Sequence, residues 1–178
     1  MLGLLRLLVR KPEIGLPQSI FEGASYLLPL VNVEVVIRNK LGHIGLTWRE
    51  RARDVPKAGW HIPGGIMRVG EAIGDRVFLT CMNECGIRPD SWTAVACSET
   101  ILPIKDSRRH FISFIVEIDS WEFVDRRKAS SLEFFSNIPE NIIENHRRYK
   151  DLFGERLDKR DIVIYRDIEF EKSLSKGA

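Results

Sequence analysis

A mixed β-sheet held between α-helices, an α/β architecture, is what this sequence predicts, on three observations. Four stretches of apolar alternation read as strands, near 31–38, 43–48, 92–102 and 110–118. Two longer stretches read as helices, near 71–85 and 137–153. The chain has 178 residues, the size of one domain with room for a full core. Strands and helices in this combination bury their apolar faces as layers.

The N-terminal stretch Met1–Lys11 is leucine-rich, with Leu2, Leu5, Leu8 and Val9 at helical spacing. It is too short to span a membrane, and Arg6 interrupts it. No small-residue cleavage site follows, which argues against a signal peptide. Residues 1–20 are therefore expected to form a helical segment packed on the domain or across a dimer. A single domain with a charged C-terminal tail is expected over 21–178.

In the first strand, Val31, Val33, Val35 and Ile37 alternate with Asn32, Glu34 and Val36. A half-buried strand with Glu34 on its polar face is one reading; a site carboxylate is the other. The second strand, His43–Trp48, runs into a loop with Arg49, Arg51 and Arg53. Loop arginines are usually solvated, but beside a diphosphate their guanidinium forks form a clamp.

Trp60-His61-Ile62-Pro63 is a short apolar run stopped by proline, and Gly64-Gly65 then lets the chain turn and other groups approach. Glu71 sits at the expected helix start, where a carboxylate suits the positive end of the macrodipole. On a regular helix at about 100° per residue, Arg76, Thr80, Asn83 and Glu84 share about one third of the circumference. Phe78, Met82 and Cys85 lie on another side. Gly86 is a good helix stop.

His110 opens the alternating run Phe111–Glu117, a place where a lone histidine is structural more often than functional. His61 is expected to pack or to point to solvent, and His43 and His146 to lie at the surface. The apolar run Ile162–Tyr165 offers a further edge strand.

The net charge of +2 is nearly balanced and supports neither nucleic-acid nor membrane binding. Three cysteines, without zinc-ligand spacing, suit a reducing cytoplasm. Cys81 and Cys85 are expected to pack as small apolar groups.

The segment from Gly65 to Ile87 resembles the Nudix box. Gly65, Glu71, Glu84, Gly86 and Ile87 fit its spacing. Leu79-Thr80 stands in place of its Arg-Glu pair and Asn83 in place of the first late glutamate. The chain is similar to the GDP-mannose mannosyl hydrolase branch in three more places, Leu30–Val36, Gly59–Gly65 and His110-Phe111. A late segment, Asn145-His146-Arg147-Arg148-Tyr149, also resembles that branch.

The resemblance implies a Nudix fold, a Mg²⁺ ion and a nucleoside diphosphate sugar as substrate. It implies Glu84 and the Gly65 carbonyl as metal ligands, with Glu71 as a further candidate whose other role is to hold the loop. It implies Glu34 and His110 near the substrate, and a phosphate-binding arginine that is Arg49 or Arg51. Arg68 lies two residues beyond Ile66, which occupies the position of a second family arginine. Lys128 and Ala129 stand where the branch carries a glutamine and a histidine, the metal ligand and general base. That leaves His110 and Glu34 as candidate catalytic groups. The expected function is Mg²⁺-dependent hydrolysis of a GDP-mannose-like compound. The alternative is a Nudix-shaped module that binds a nucleotide and cleaves it slowly or not at all.

Overall fold

The computed structural model describes residues 9, 11–12, 14–51, 57–101, 108, 110–129, 131–154 and 163–165. Of the helical segment expected over residues 1–20, residues 1–8, 10 and 13 lie outside the described residues, as does Arg53, and residues 11, 12 and 14–17 are not helical. The elements run α1 (Gln18–Leu27), β1 (Leu30–Ile37), β2 (Ile44–Arg49), β3 (Gly59–His61), β4 (Gly64–Ile66) and α2 (Ile73–Thr80). They continue with β5 (Ile87–Ile101), β6 (His110–Phe123), α3 (Arg126–Ala129), β7 (Leu132–Phe135), a 3-10 segment (Glu144–Phe153) and β8 (Val163–Tyr165). Helix α1 crosses the boundary expected at residue 20.

The strands form a mixed five-stranded sheet in the order β4-β1-β6-β5-β8 and a three-stranded sheet in the order β3-β2-β7. Strand β1 runs parallel to β6 and antiparallel to β4. From Val33 to Ile37 it is covered on both faces, while Leu30, Val31 and Asn32 stay partly or fully exposed. Val33, Val35 and Ile37 pack with Val77, Cys81 and Cys85 of the α2 segment. Val36 packs the other way, with Ile44 and Leu46 of β2 and with Tyr149 and Leu152. Glu34 shares that second side and is itself buried.

Two expectations need correction. Residues 137–153 do not form one helix. The backbone of Asn141 and Ile143 is hydrogen-bonded to Trp60 of β3, so Ile142 forms a bridge with that strand and a turn precedes it. Helical turns begin only at Glu144, and they are of the 3-10 type with a break at Tyr149. The α2 helix is also not regular to its end, because Cys81–Cys85 widens into a π-turn closed by Gly86 at φ +64°.

The widening matters for direction, since a π-turn advances less than 100° per residue. Val77, Thr80, Cys81 and Cys85 face inward, while Phe78 and Leu79 are exposed. Cys81 and Cys85 are free thiols in the core, and burial pushes the Cys81 thiol up to about 12. Within the tail's apolar run, β8 adds its backbone in parallel to the β5 edge. No helix among the described residues is long and apolar enough to cross a membrane.

Candidate functional site

Gly64-Gly65 becomes the short strand β4, with Gly65 opposite Val33. A Cβ at Gly65 would lie 3.1 Å from Arg76 Cδ, 3.2 Å from Arg76 Nη1 and 3.4 Å from Thr80 Oγ1. The missing side chain lets α2 close down on the strand. Thr80 is buried there, and its hydroxyl has no hydrogen-bond partner among the described residues.

Arg76 turns back to Glu71, donating from Nε at 2.9 Å and from Nη2 at 2.6 Å. Glu71 also accepts from the Arg68 amide at 2.9 Å. Glu71 thus ties the loop to the helix, while Asp75 takes the Ala72 amide at the helix start.

A cavity of about 780 Å³ opens between the two sheets. Its lining includes Gly64, Gly65 and Ile66, the side chains of Asn32, Glu34 and Ser113, and the cations Arg49, Lys57, Arg108 and Arg147. Residues 141–146 and Tyr149 form the opposite wall. Glu34 accepts from Tyr149 Oη at 3.3 Å and from Asn32 Nδ2 at 3.2 Å. Its Oε2 is buried without a partner among the described residues. Burial pushes its pKa up to about 7, against the lowering influence of Ser113, Tyr149, Arg148 and Asn32. Burial and the neighbouring Glu34 also hold the Tyr149 phenol well above its usual value.

His61 stands at the end of this cavity. Its Nδ1 donates to the Thr47 carbonyl at 2.8 Å, and its Nε2 lies 3.3 Å from Glu84 Oε2. The pair also borders a smaller opening of about 380 Å³ with Thr47, Arg49 and Ser131. His146, expected at the surface, is half-buried. It accepts the Ile62 amide on Nδ1 at 3.0 Å, and its ring centroid is 6.1 Å from that of His61. Burial, and then His61, Arg49 and Arg148, hold its pKa well below the usual histidine value.

The structure thus brings Glu34, Arg49 and the Gly65 backbone to one cavity, with Glu84 beside its His61 wall. Arg51 and Arg68 are exposed and line neither opening. His110 also stands apart from both, half-buried and 3.2 Å from Glu99 Oε1. Lys128 reaches the Met82 carbonyl at 3.4 Å.

Reading the sequence as residue-by-residue spacing missed His61, His146 and Tyr149 as site groups. The late segment Asn145–Tyr149 carried a signal for two of them. His61 lies in the similar stretch Gly59–Gly65, but its pairing with Glu84 depends on the π-turn and on β2.

The donors do not fit a Mg²⁺ cage built from protein oxygens. Mg²⁺ favours six oxygens at about 2.0–2.1 Å. Both Glu71 oxygens are taken by Arg76, and Asn83 is exposed and neutral. Glu84 faces an imidazole. No group of three or more His, Cys, Asp or Glu side chains converges among the described residues.

No family model matches the chain, and no curated protein matches it in sequence. Among solved structures, a MutT Nudix hydrolase from Burkholderia pseudomallei aligns with TM-score 0.56 at 20% identity. The alignment covers 70% of this chain and 98% of that one. The chain has the Nudix fold. An ADP-ribose pyrophosphatase from Streptococcus suis is a looser likeness, with TM-score 0.46 at 17% identity over 79% of this chain and all 100% of that one. The mixed sheet, with strand β4 at Gly64-Gly65, and the following α2 segment frame the cavity.

Proposed function

We propose that this Nudix-fold protein hydrolyses a nucleoside diphosphate joined to a sugar, GDP-mannose-like in kind. The observation that carries the reading is the cavity at Gly64-Gly65. It sets cationic side chains at one part of its wall and a buried carboxylate at another. A diphosphate needs cations that bind its oxygens, and Arg49 offers a bidentate fork for that purpose. Asn32, Ser113 and Glu34 supply the donors and acceptors that fix a polar ring, whether base or sugar.

Hydrolysis also needs a group to move a proton. Glu34 is better supported in that role than His110, because it lines the cavity and His110 does not. A carboxyl titrating near about 7 suits proton transfer at neutral pH. The Mg²⁺ requirement implied by the family resemblance has weaker support in the donor set.

Lys128 and Ala129, where the mannosyl hydrolases place catalytic groups, favour a second reading, a binder that cleaves slowly. A screen of nucleoside diphosphate sugars with several divalent cations separates the two. Turnover that Glu34→Gln abolishes supports the enzyme; tight binding in calorimetry without turnover supports the binder. Neither turnover nor binding for any nucleoside diphosphate would refute both.

A further inference from the structure

Glu34 presents its two carboxyl oxygens unequally. Oε1 takes a hydrogen bond from Tyr149 Oη at 3.3 Å and another from Asn32 Nδ2 at 3.2 Å. Oε2 is buried and has no partner among the described residues. A buried acceptor left unpaired is costly unless a water or a ligand supplies the missing donor. Glu34 lines the large cavity, so that donor has a place to sit.

The phenol is the better held of the two donors. Asn32 is half-buried, and its amide also reaches Ser113 Oγ at 3.5 Å. Tyr149 is 1% exposed and stands at the break in the 3-10 segment, with φ −88° and ψ 21°. An arginine ties the chain to the larger sheet on either side of it. Arg148 donates to Thr100 Oγ1 at 2.7 Å and to the Glu99 carbonyl at 3.3 Å, both on β5. Arg38, directly after β1, donates to the Leu152 carbonyl at 2.7 Å. The His146 ring meets the Tyr149 ring edge-on, with centroids 5.6 Å apart. A side chain locked by its surroundings in this way can hold a neighbouring group in one orientation.

We propose that Tyr149 is a positioning residue for Glu34, holding Oε1 so that Oε2 is the oxygen that takes a proton from water in the cavity. The proposal rests on the reading of Glu34 as the proton-transfer group. As the attacking water oxygen forms its new bond, Oε2 takes its proton, and the leaving oxygen keeps the electron pair of the bond that breaks. Asn32 faces Glu34 from its own strand, Ser113 from β6, Gly64 from β4, and Tyr149 and Arg148 from the 3-10 segment. Of these, Arg148 is the fixed charge and Tyr149 the titratable group. A phenol that donates to a carboxylate favours its charged form, so losing the phenol raises the pH at which Glu34 ionises.

Tyr149→Phe removes the hydroxyl and keeps the ring. On a nucleoside diphosphate sugar that the parent turns over, kcat should fall about 10–100-fold while KM stays near its parent value. The rise of kcat/KM with pH should move up by about one pH unit. Thr93→Val is the control. It removes a hydroxyl bond to Asp119 that lies away from the cavity, and it should leave the pH profile in place.

A second measurement needs no turnover and so separates the positioning from the reaction. Fluorotyrosine replaces the three tyrosines, and Tyr26→Phe with Tyr165→Phe leaves Tyr149 as the one labelled ring. Its fluorine signal should step as Glu34 ionises, with a midpoint at about 7, and Glu34→Gln should remove the step. If Tyr149→Phe does not fold, this measurement decides. A pH profile unmoved in a folded Tyr149→Phe, or a fluorine titration that persists in Glu34→Gln, would overturn the positioning role. A fluorine step without turnover by the parent refutes the reaction and supports the hold of Tyr149 on Glu34.

Discussion

Glu34 is the residue at which burial and function meet. Its carboxyl is enclosed between β1 and the 3-10 segment, and its ordinary value of 4.5 rises to about 7. The folded protein therefore holds the proton more tightly than the unfolded chain. Stability is greatest below the unfolded value and falls as pH rises from about 4.5 to about 7. The loss is on the order of 3 kcal/mol, because each tenfold gain in proton affinity corresponds to about 1.4 kcal/mol. Glu34→Gln should flatten the fall, and urea unfolding at pH 5 and pH 8 measures it. An unchanged pH slope in the variant would place the titrating group elsewhere. If Glu34 also acts as general base, kcat/KM should rise with pH to a plateau above about 7, and the variant should lose the activity altogether. Stability and rate then move in opposite directions with pH, so one residue trades one for the other.

At the scale of elements, the α2 segment and its closing glycine govern where Glu84 points. Gly86 adopts φ +64°, and a Cβ there would collide with the Asp125 carbonyl and come within 2.8 Å of the Ala129 amide. Gly86 also accepts the amides of Val124 and Asp125. Gly86→Ala should cost at least about 2 kcal/mol, from the left-handed backbone and the clash with main chain together. A denaturation midpoint within error of the parent would disprove that.

The Glu71–Arg76 pair is the other fixing point, with side chains 9% and 11% exposed. Removing one partner of a buried pair costs about 3–5 kcal/mol. Glu71→Gln should approach the lower figure, and Arg76→Met with Glu71→Leu should recover part of it. The close approach at Gly65 and the loop held by Glu71 were legible in the sequence because each depends on neighbours along the chain. The glycine pair, by contrast, forms the strand β4 where the sequence suggested a turn, and the helix starts at Ile73, past Glu71. The face of Glu84 was not legible, since nothing in the spacing marks the point at which the helix widens into the π-turn at Cys81–Cys85. The partnership with His61 was not either, because it needs Thr47 opposite His61 across β2 and β3. Nor was the late helix, whose start is displaced by Trp60 binding the 141–143 backbone.

At the scale of the molecule, the cavity is the seam between two sheets. Strands β1 and β4 of the larger sheet line it, β2 and β3 of the smaller one supply Arg49 and His61, and residues 141–149 close it. A ligand that fills it contacts both sheets and binds only the folded chain. Its effect on stability follows from mass action, about 2.7 kcal/mol at a ligand concentration 100 times Kd. For a chain of this size each kcal/mol raises Tm by about 2–4 °C. A nucleoside diphosphate sugar near that concentration should thus raise Tm by about 5–11 °C. The rise should shrink with added salt, because part of the binding is between Arg49 and the diphosphate. Arg49→Ala should lose most of it, whereas Arg51→Ala, exposed and away from both openings, should keep it. Equal shifts in the two variants would mean that the diphosphate lies outside the seam, and would move the substrate site away from Gly64-Gly65 in β4.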